Sequence, residues 1–143
     1  MIESNNHPRR GARESVLKAL YAYNYLKENP KMVLNRTLGL SSNKGNRDTV
    51  YIQTLYDSVL LNSDMADSII KKNLQNWEFN RIAQLDKILL RMGICEILFI
   101  EDVPPKASIS EMVEISKVYS TEESPSFING ILDSVYKNYK KKK

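Results

Sequence analysis

Glycine and proline are scarce in this chain of 143 residues, five of each, and no alternating apolar and polar stretch bounded by turn pairs occurs. Strands therefore have little support, and the only periodicity sustained over long windows is helical. One cysteine, Cys95, excludes an internal disulfide, and its place in the apolar run 94–100 makes it a core thiol. The single histidine, His7, and the lack of a phosphate-cradling glycine loop leave almost nothing from which to build a metal or nucleophile site. No catalysis and no cofactor are expected. No apolar run approaches the roughly 20 residues that cross a bilayer, and the amino end has no hydrophobic signal segment, so no membrane is expected and the protein reads as cytoplasmic.

What is present fits one soluble domain. The composition is 42% hydrophobic and 27% charged, enough for a core of its own. The formal net charge is +4, yet Lys137 and Lys140, Lys141, Lys142 and Lys143 alone supply more than that, leaving a nearly neutral body with basic ends. Such a distribution suits a local contact with nucleic acid rather than a broad basic face. The organisation expected is a flexible leader over 1–8, a single helical domain over 9–139 and a basic tail over 140–143. Cations at a helix carboxyl end agree with its dipole, so the tail requires no ligand to explain it.

The spacing predicts about seven helices. The first spans 9–28, with Pro8 before it and Asn29-Pro30 ending it, and buries Ala12, Val16, Ala19, Leu20, Tyr23 and Leu26. A short second helix covers 32–40, followed by an exposed loop over 41–46. The third covers 48–61 through Val50, Leu55, Val59 and Tyr51, and Asn62-Ser63-Asp64 supplies capping oxygens for a fourth over 65–74. The fifth, 80–100, is apolar almost all round and must be enclosed, with Leu89 and Leu98 as core anchors and Arg91 paired to Glu96 or Glu111. Pro104-Pro105 opens a sixth with a stripe of Ile109, Met112, Val113 and Ser116, and Ser124-Pro125 a seventh with Phe127, Ile128, Ile131, Leu132, Val135 and Tyr139.

The charges at the start of the first helix run against its electrostatics. Arg9, Arg10 and Arg13 crowd the helix end that carries a partial positive charge, where each cation costs roughly 0.3–1 kcal/mol. A polyanion outside the helix makes sense of them, since arginine forks pair with phosphate oxygens and their planes stack on unpaired bases. The alternative is a solvated, frayed amino end.

The order of motifs resembles the NusB family of transcription antitermination factors along nearly the whole chain. Three stretches carry the resemblance: Arg9-Arg10-Gly11-Ala12-Arg13-Glu14 leading to Ala19-Leu20-Tyr21, then Leu90-Arg91 through Asp102-Val103-Pro104-Pro105-Lys106, and Phe127-Ile128-Asn129-Gly130-Ile131-Leu132-Asp133. Ile109-Ser110-Glu111 and Glu114-Ile115-Ser116-Lys117 extend it, whereas residues 29–80 match weakly. The chain departs from the commoner pattern at Cys95, where a tyrosine is frequent, and at Ser126, where a basic residue often precedes the phenylalanine.

The resemblance implies an all-α fold of two packed helical bundles and a binding role. Members of the family pair with NusE, a ribosomal small-subunit protein, and bind single-stranded boxA-type RNA in nascent transcripts. Through that complex they meet the other Nus factors and RNA polymerase indirectly. The implied RNA contacts are Arg9, Arg10, Arg13, Tyr21, Phe127 and Asn129, and the partner contacts Tyr21, Asp86, Glu122 and Glu123. For Tyr21 and Phe127, edge-of-core packing stands as the alternative, and first-turn N–H groups near Phe127 also attract phosphate. Two other functions remain: an accessory module of a ribosomal RNA cytosine methyltransferase, disfavoured by a chain that ends in lysines, and a helical adaptor that binds only protein.

Overall fold

A computed structural model of the chain describes residues 9–40, 48–74 and 78–140, for Leu40 and Lys140 the backbone alone. The expected leader at 1–8, the loop residues 41–46 and tail residues 141–143 lie outside the described residues. The regular structure consists of α1 (Arg10–Leu26), α2 (Pro30–Leu40), α3 (Thr49–Asn73), a short 3-10 helix (Phe79–Arg81), α4 (Gln84–Phe99), α5 (Pro105–Tyr119) and α6 (Ser124–Lys140). There is no strand among the described residues, as the helical periodicity requires.

About seven helices were expected, and among the described residues the third and fourth run together as α3, two helices joined across a kink where the sequence placed their junction. The chain kinks at Asn62 (φ −111°, ψ 19°) without stopping. The Asn62 amide donates to the Ser58 carbonyl at 2.9 Å, and the Ser63 hydroxyl to the Leu60 carbonyl at 3.4 Å. Side chains read as caps for a new helix instead bond back to the preceding turn, which bends a helix rather than ending it.

Asn29-Pro30, read as a terminator, opens α2 two residues early. The Asn29 Oδ1 accepts from the backbone N–H of Lys31 (2.9 Å) and Met32 (3.2 Å), and Pro30 fills the first helical position, where its missing N–H is not needed. α1 stops earlier than expected, at Leu26, where Lys27 turns left-handed (φ 55°) and donates to the Tyr23 carbonyl. Leu26 is consequently exposed and Tyr23 half-buried, while Ala12, Val16, Ala19 and Leu20 are buried as their spacing predicts.

The chain divides into two compact units, Met1–Tyr56 and Asp57–Lys143, with the division inside α3. In the first, α1 packs on α2 around Val16, Leu17, Leu20, Val33, Leu34 and Leu55. The Tyr56 hydroxyl donates to the Pro30 carbonyl at 2.7 Å, tying α3 to the start of α2. Val50, expected inside, is exposed; Tyr51, Ile52, Leu55 and Tyr56 share the buried face at helical spacing, and Val50 falls off it.

In the second unit α4, α5 and α6 pack on one another. α4 is buried nearly all round through Ile88, Leu89, Leu90, Met92 and Ile94, and only at its carboxyl end do Leu98 (half-buried) and Phe99 (exposed) emerge. Leu98 is therefore no core anchor. Arg91 pairs with Asp67 of α3 rather than with Glu96 or Glu111; the Glu96 carboxylate, fully buried, accepts from the Ser108 hydroxyl at 2.7 Å. Cys95 is a buried thiol.

Candidate nucleic-acid interface

At the start of α1 the chain sets cations against a helix amino end and compensates them with an aromatic ring. Arg9 occupies the N-cap position without making a side-chain cap, and the first turn holds no acidic residue. The Arg9 guanidinium lies 4.3 Å from the centroid of the Tyr51 ring, and that of Arg13 lies 5.4 Å from it. The negative face of a π-system attracts cations at such distances. Asp48 Oδ2 stands 3.8 Å from Arg9 Nε, a weak contact at the surface.

The three arginines are not equivalent. Arg9 and Arg10 are half-buried and keep a path to solvent, whereas Arg13 is 2% exposed. A buried guanidinium over Tyr51 cannot reach an external phosphate from this position, so direct contact by Arg13 does not follow from the geometry. Its place is beside the ring that also holds Arg9.

Further along α1, Tyr21 is 38% exposed, and its ring lies 5.0 Å from that of Tyr25 in a tilted pair. A long hydrogen bond of 3.5 Å joins the two hydroxyls. That bond, and then repulsion between the two phenolates, raises the Tyr21 pKa from its ordinary value. Tyr21 therefore stays neutral at physiological pH, and the two rings together offer aromatic surface.

In the second unit, Phe127 falls in the first turn of α6, half-buried, with its N–H donating to the Glu123 carbonyl at 3.2 Å. Asn129 is exposed on the same helix, and Glu122 and Glu123 are exposed in the turn before it. Asp86 is different. It is 6% exposed, and its two carboxylate oxygens accept from Ser120 Oγ (2.7 Å) and Ser124 Oγ (2.8 Å). Expected to face a partner, it is turned inward because two serine hydroxyls satisfy it, and it ties the amino end of α4 to the turn that carries Glu122 and Glu123.

Two features escaped the sequence reading. Tyr51 entered it only as a core residue, and its role under the arginines has no local signal, since 38 residues separate it from Arg13. Phe79 carries the ammonium of Lys87 at 4.5 Å and of Lys71 at 5.0 Å from its centroid, again through residues distant in sequence. Among the described residues no group of histidine, cysteine, aspartate and glutamate could hold a metal, and no helix is long and apolar enough to cross a membrane.

The family model described as "NusB family" matches residues 10–137. The chain belongs to the NusB family. It is 41% identical over 134 residues to the transcription antitermination protein NusB of Chloroherpeton thalassium, covering 94% of this chain and 64% of that relative's length. To the NusB of Salinibacter ruber it is 39% identical over 127 residues, 89% of this chain and 79% of that protein. Among solved structures it is similar to the NusB chain of a complex of antitermination factors NusB and NusE with double-stranded RNA. There the TM-score is 0.82 at 29% identity, covering 92% of this chain and 98% of the other. The match includes the arginine-bearing start of α1 and the first turn of α6.

Proposed function

We propose that this chain is an RNA-binding transcription antitermination factor that pairs with a NusE-type ribosomal small-subunit protein and binds boxA-type RNA in nascent transcripts, supporting ribosomal RNA transcription. It acts in the cytoplasm, carries out no catalytic step, and meets other Nus factors and RNA polymerase only through the complex. The observation that carries the reading is the basic start of α1, where Arg9 and Arg10 crowd a helix end that disfavours them and Arg9 lies over Tyr51. Family membership supports the same partners.

In this reading Arg9 and Arg10 contact RNA phosphate, while Arg13 acts from within by sharing the Tyr51 ring. Tyr21, with Tyr25, offers a stacking or partner-binding surface on α1. On the second unit, Phe127 and Asn129 approach RNA, and Glu122 and Glu123 face the protein partner because they would repel phosphate. Asp86 is a positioning residue for that turn.

The test is a titration of boxA-like RNA, with and without NusE, at several salt concentrations, for the wild type and an Arg9→Ala, Arg10→Ala double variant. Affinity should fall in the variant, and the log–log salt slope should flatten by about 0.7 for each single-strand phosphate that no longer meets an arginine. NusE binding should persist. Unchanged affinity and slope would sink the arginine site; NusE binding without any RNA binding would favour a protein-only adaptor.

A further inference from the structure

Tyr51 is 5% exposed, and its hydroxyl is buried with no hydrogen-bond partner. Burying a polar group unpaired is unfavourable, and native structures do so rarely enough that each instance calls for an explanation. Packing does not supply one. A phenylalanine would fill the same space and present the same ring face to Arg9 and Arg13 while leaving no unmet donor. What tyrosine adds to this position is the hydroxyl alone.

Its surroundings select the ligand. Two guanidiniums lie within 5.4 Å of the ring centroid, so an anion that pairs with either one comes close to the O–H as an acceptor. The Arg9 side chain is 30% exposed and belongs to the N-cap residue that precedes α1, which makes it the movable member of the cluster; Arg13 is fixed by burial. Resting on the RNA-binding reading above, we propose that Tyr51 is an RNA-contacting residue: as Arg9 turns outward to pair with a backbone phosphate, the Tyr51 hydroxyl is uncovered and donates to that phosphate. The ring then holds Arg9 ready without RNA and the hydroxyl takes over its place with RNA. An unmet donor in the free protein is what such an exchange requires.

The experiment compares wild type, Tyr51→Phe and Arg9→Ala in RNA titrations across salt, with thermal unfolding and NusE binding measured on each. Tyr51→Phe should unfold at the same temperature as wild type or higher, and bind NusE unchanged. Its RNA affinity should fall about tenfold, the worth of a hydrogen bond to a charged acceptor. The salt slope should stay at the wild-type value, because a neutral hydroxyl releases no counterion, whereas Arg9→Ala should flatten it. If Arg9→Ala weakens binding and Tyr51→Phe does not, the Tyr51 contact is wrong and the arginine site stands. A marked loss of thermal stability in Tyr51→Phe would make the hydroxyl structural and also overturn the contact. If the wild type binds no RNA, both readings fall together.

Discussion

Arg91 of α4 grips Asp67 of α3 with two hydrogen bonds, Nε to Oδ1 at 2.7 Å and the terminal nitrogen to Oδ2 at 3.1 Å, with both side chains largely withdrawn from water. A fork-to-fork pair of this kind is directional and shielded, unlike the pairs at the surface. It also explains how a nearly all-apolar helix accommodates an arginine at its centre.

Removing one partner leaves the other charge half-buried. Asp67→Ala should destabilise the protein by about 1.5–3 kcal/mol in urea unfolding. The matching control, Glu28→Ala, breaks the exposed 3.0 Å pair with Arg36 and should cost no more than about 1 kcal/mol. Equal effects of the two changes would deny the Arg91–Asp67 pair any special weight.

Leu89 and Leu98 lie on the same helix, and the first is fully buried while the second is half-buried. Leu89→Ala should cost about 2–5 kcal/mol through lost burial and the cavity left behind, and Leu98→Ala distinctly less. Chemical denaturation of the two variants side by side measures the difference; a larger loss for Leu98 would contradict the placement of the end of α4.

Gly93 lets α4 and α6 approach closely. A Cβ there would stand 2.6 Å from Leu132 Cδ1, and Leu132 is itself fully buried. Gly93→Ala should therefore destabilise by about 1 kcal/mol, overpacking outweighing the better helix propensity of alanine. In a Leu132→Ala background the clash is gone and the same change should become neutral or stabilising, so the sign reversal in a double-mutant cycle is the measurement.

Burial pushes the Cys95 thiol up to about 11 from an ordinary 9.0, against a weaker opposing interaction with Ser58. At pH 8 a thiol reagent should label the native protein only as fast as it opens, and the urea-unfolded chain at once. The unfolded thiol ionises near pH 9 while the native one stays protonated until about 11. Its contribution to stability is thus intact below pH 9 and lost between 9 and about 11, at up to roughly 1.4 kcal/mol per pH unit. Comparing the pH dependence of unfolding of wild type and Cys95→Ala over that range isolates it; identical curves would contradict the raised pKa.

The helical class, the enclosure of α4 and the basic start of α1 were legible in the amino-acid order, because each follows from local spacing. Apolar residues at 88, 89, 90, 92 and 94 demand burial on every side whatever encloses them, and Arg9, Arg10 and Arg13 sit at a helix amino end however the rest folds. Cys95 was legible as core for the same reason. Helix ends were less so. Asn29 and Asn62 offer the same side-chain atoms, yet Asn29 caps α2 while Asn62 bonds back to Ser58, and which donor an asparagine meets depends on the direction the chain takes through space.

Tertiary structure alone decided the roles within the candidate site. That Asp86 faces Ser120 and Ser124, that Arg91 meets Asp67, and that Arg13 disappears over Tyr51 while Arg9 keeps access to solvent are pairings across 24 to 38 residues. Periodicity reports which face of a helix is apolar, but not which charged or polar group another helix brings to its edge. Charged side chains are matched by distance in space, and that distance is set only when the helices pack.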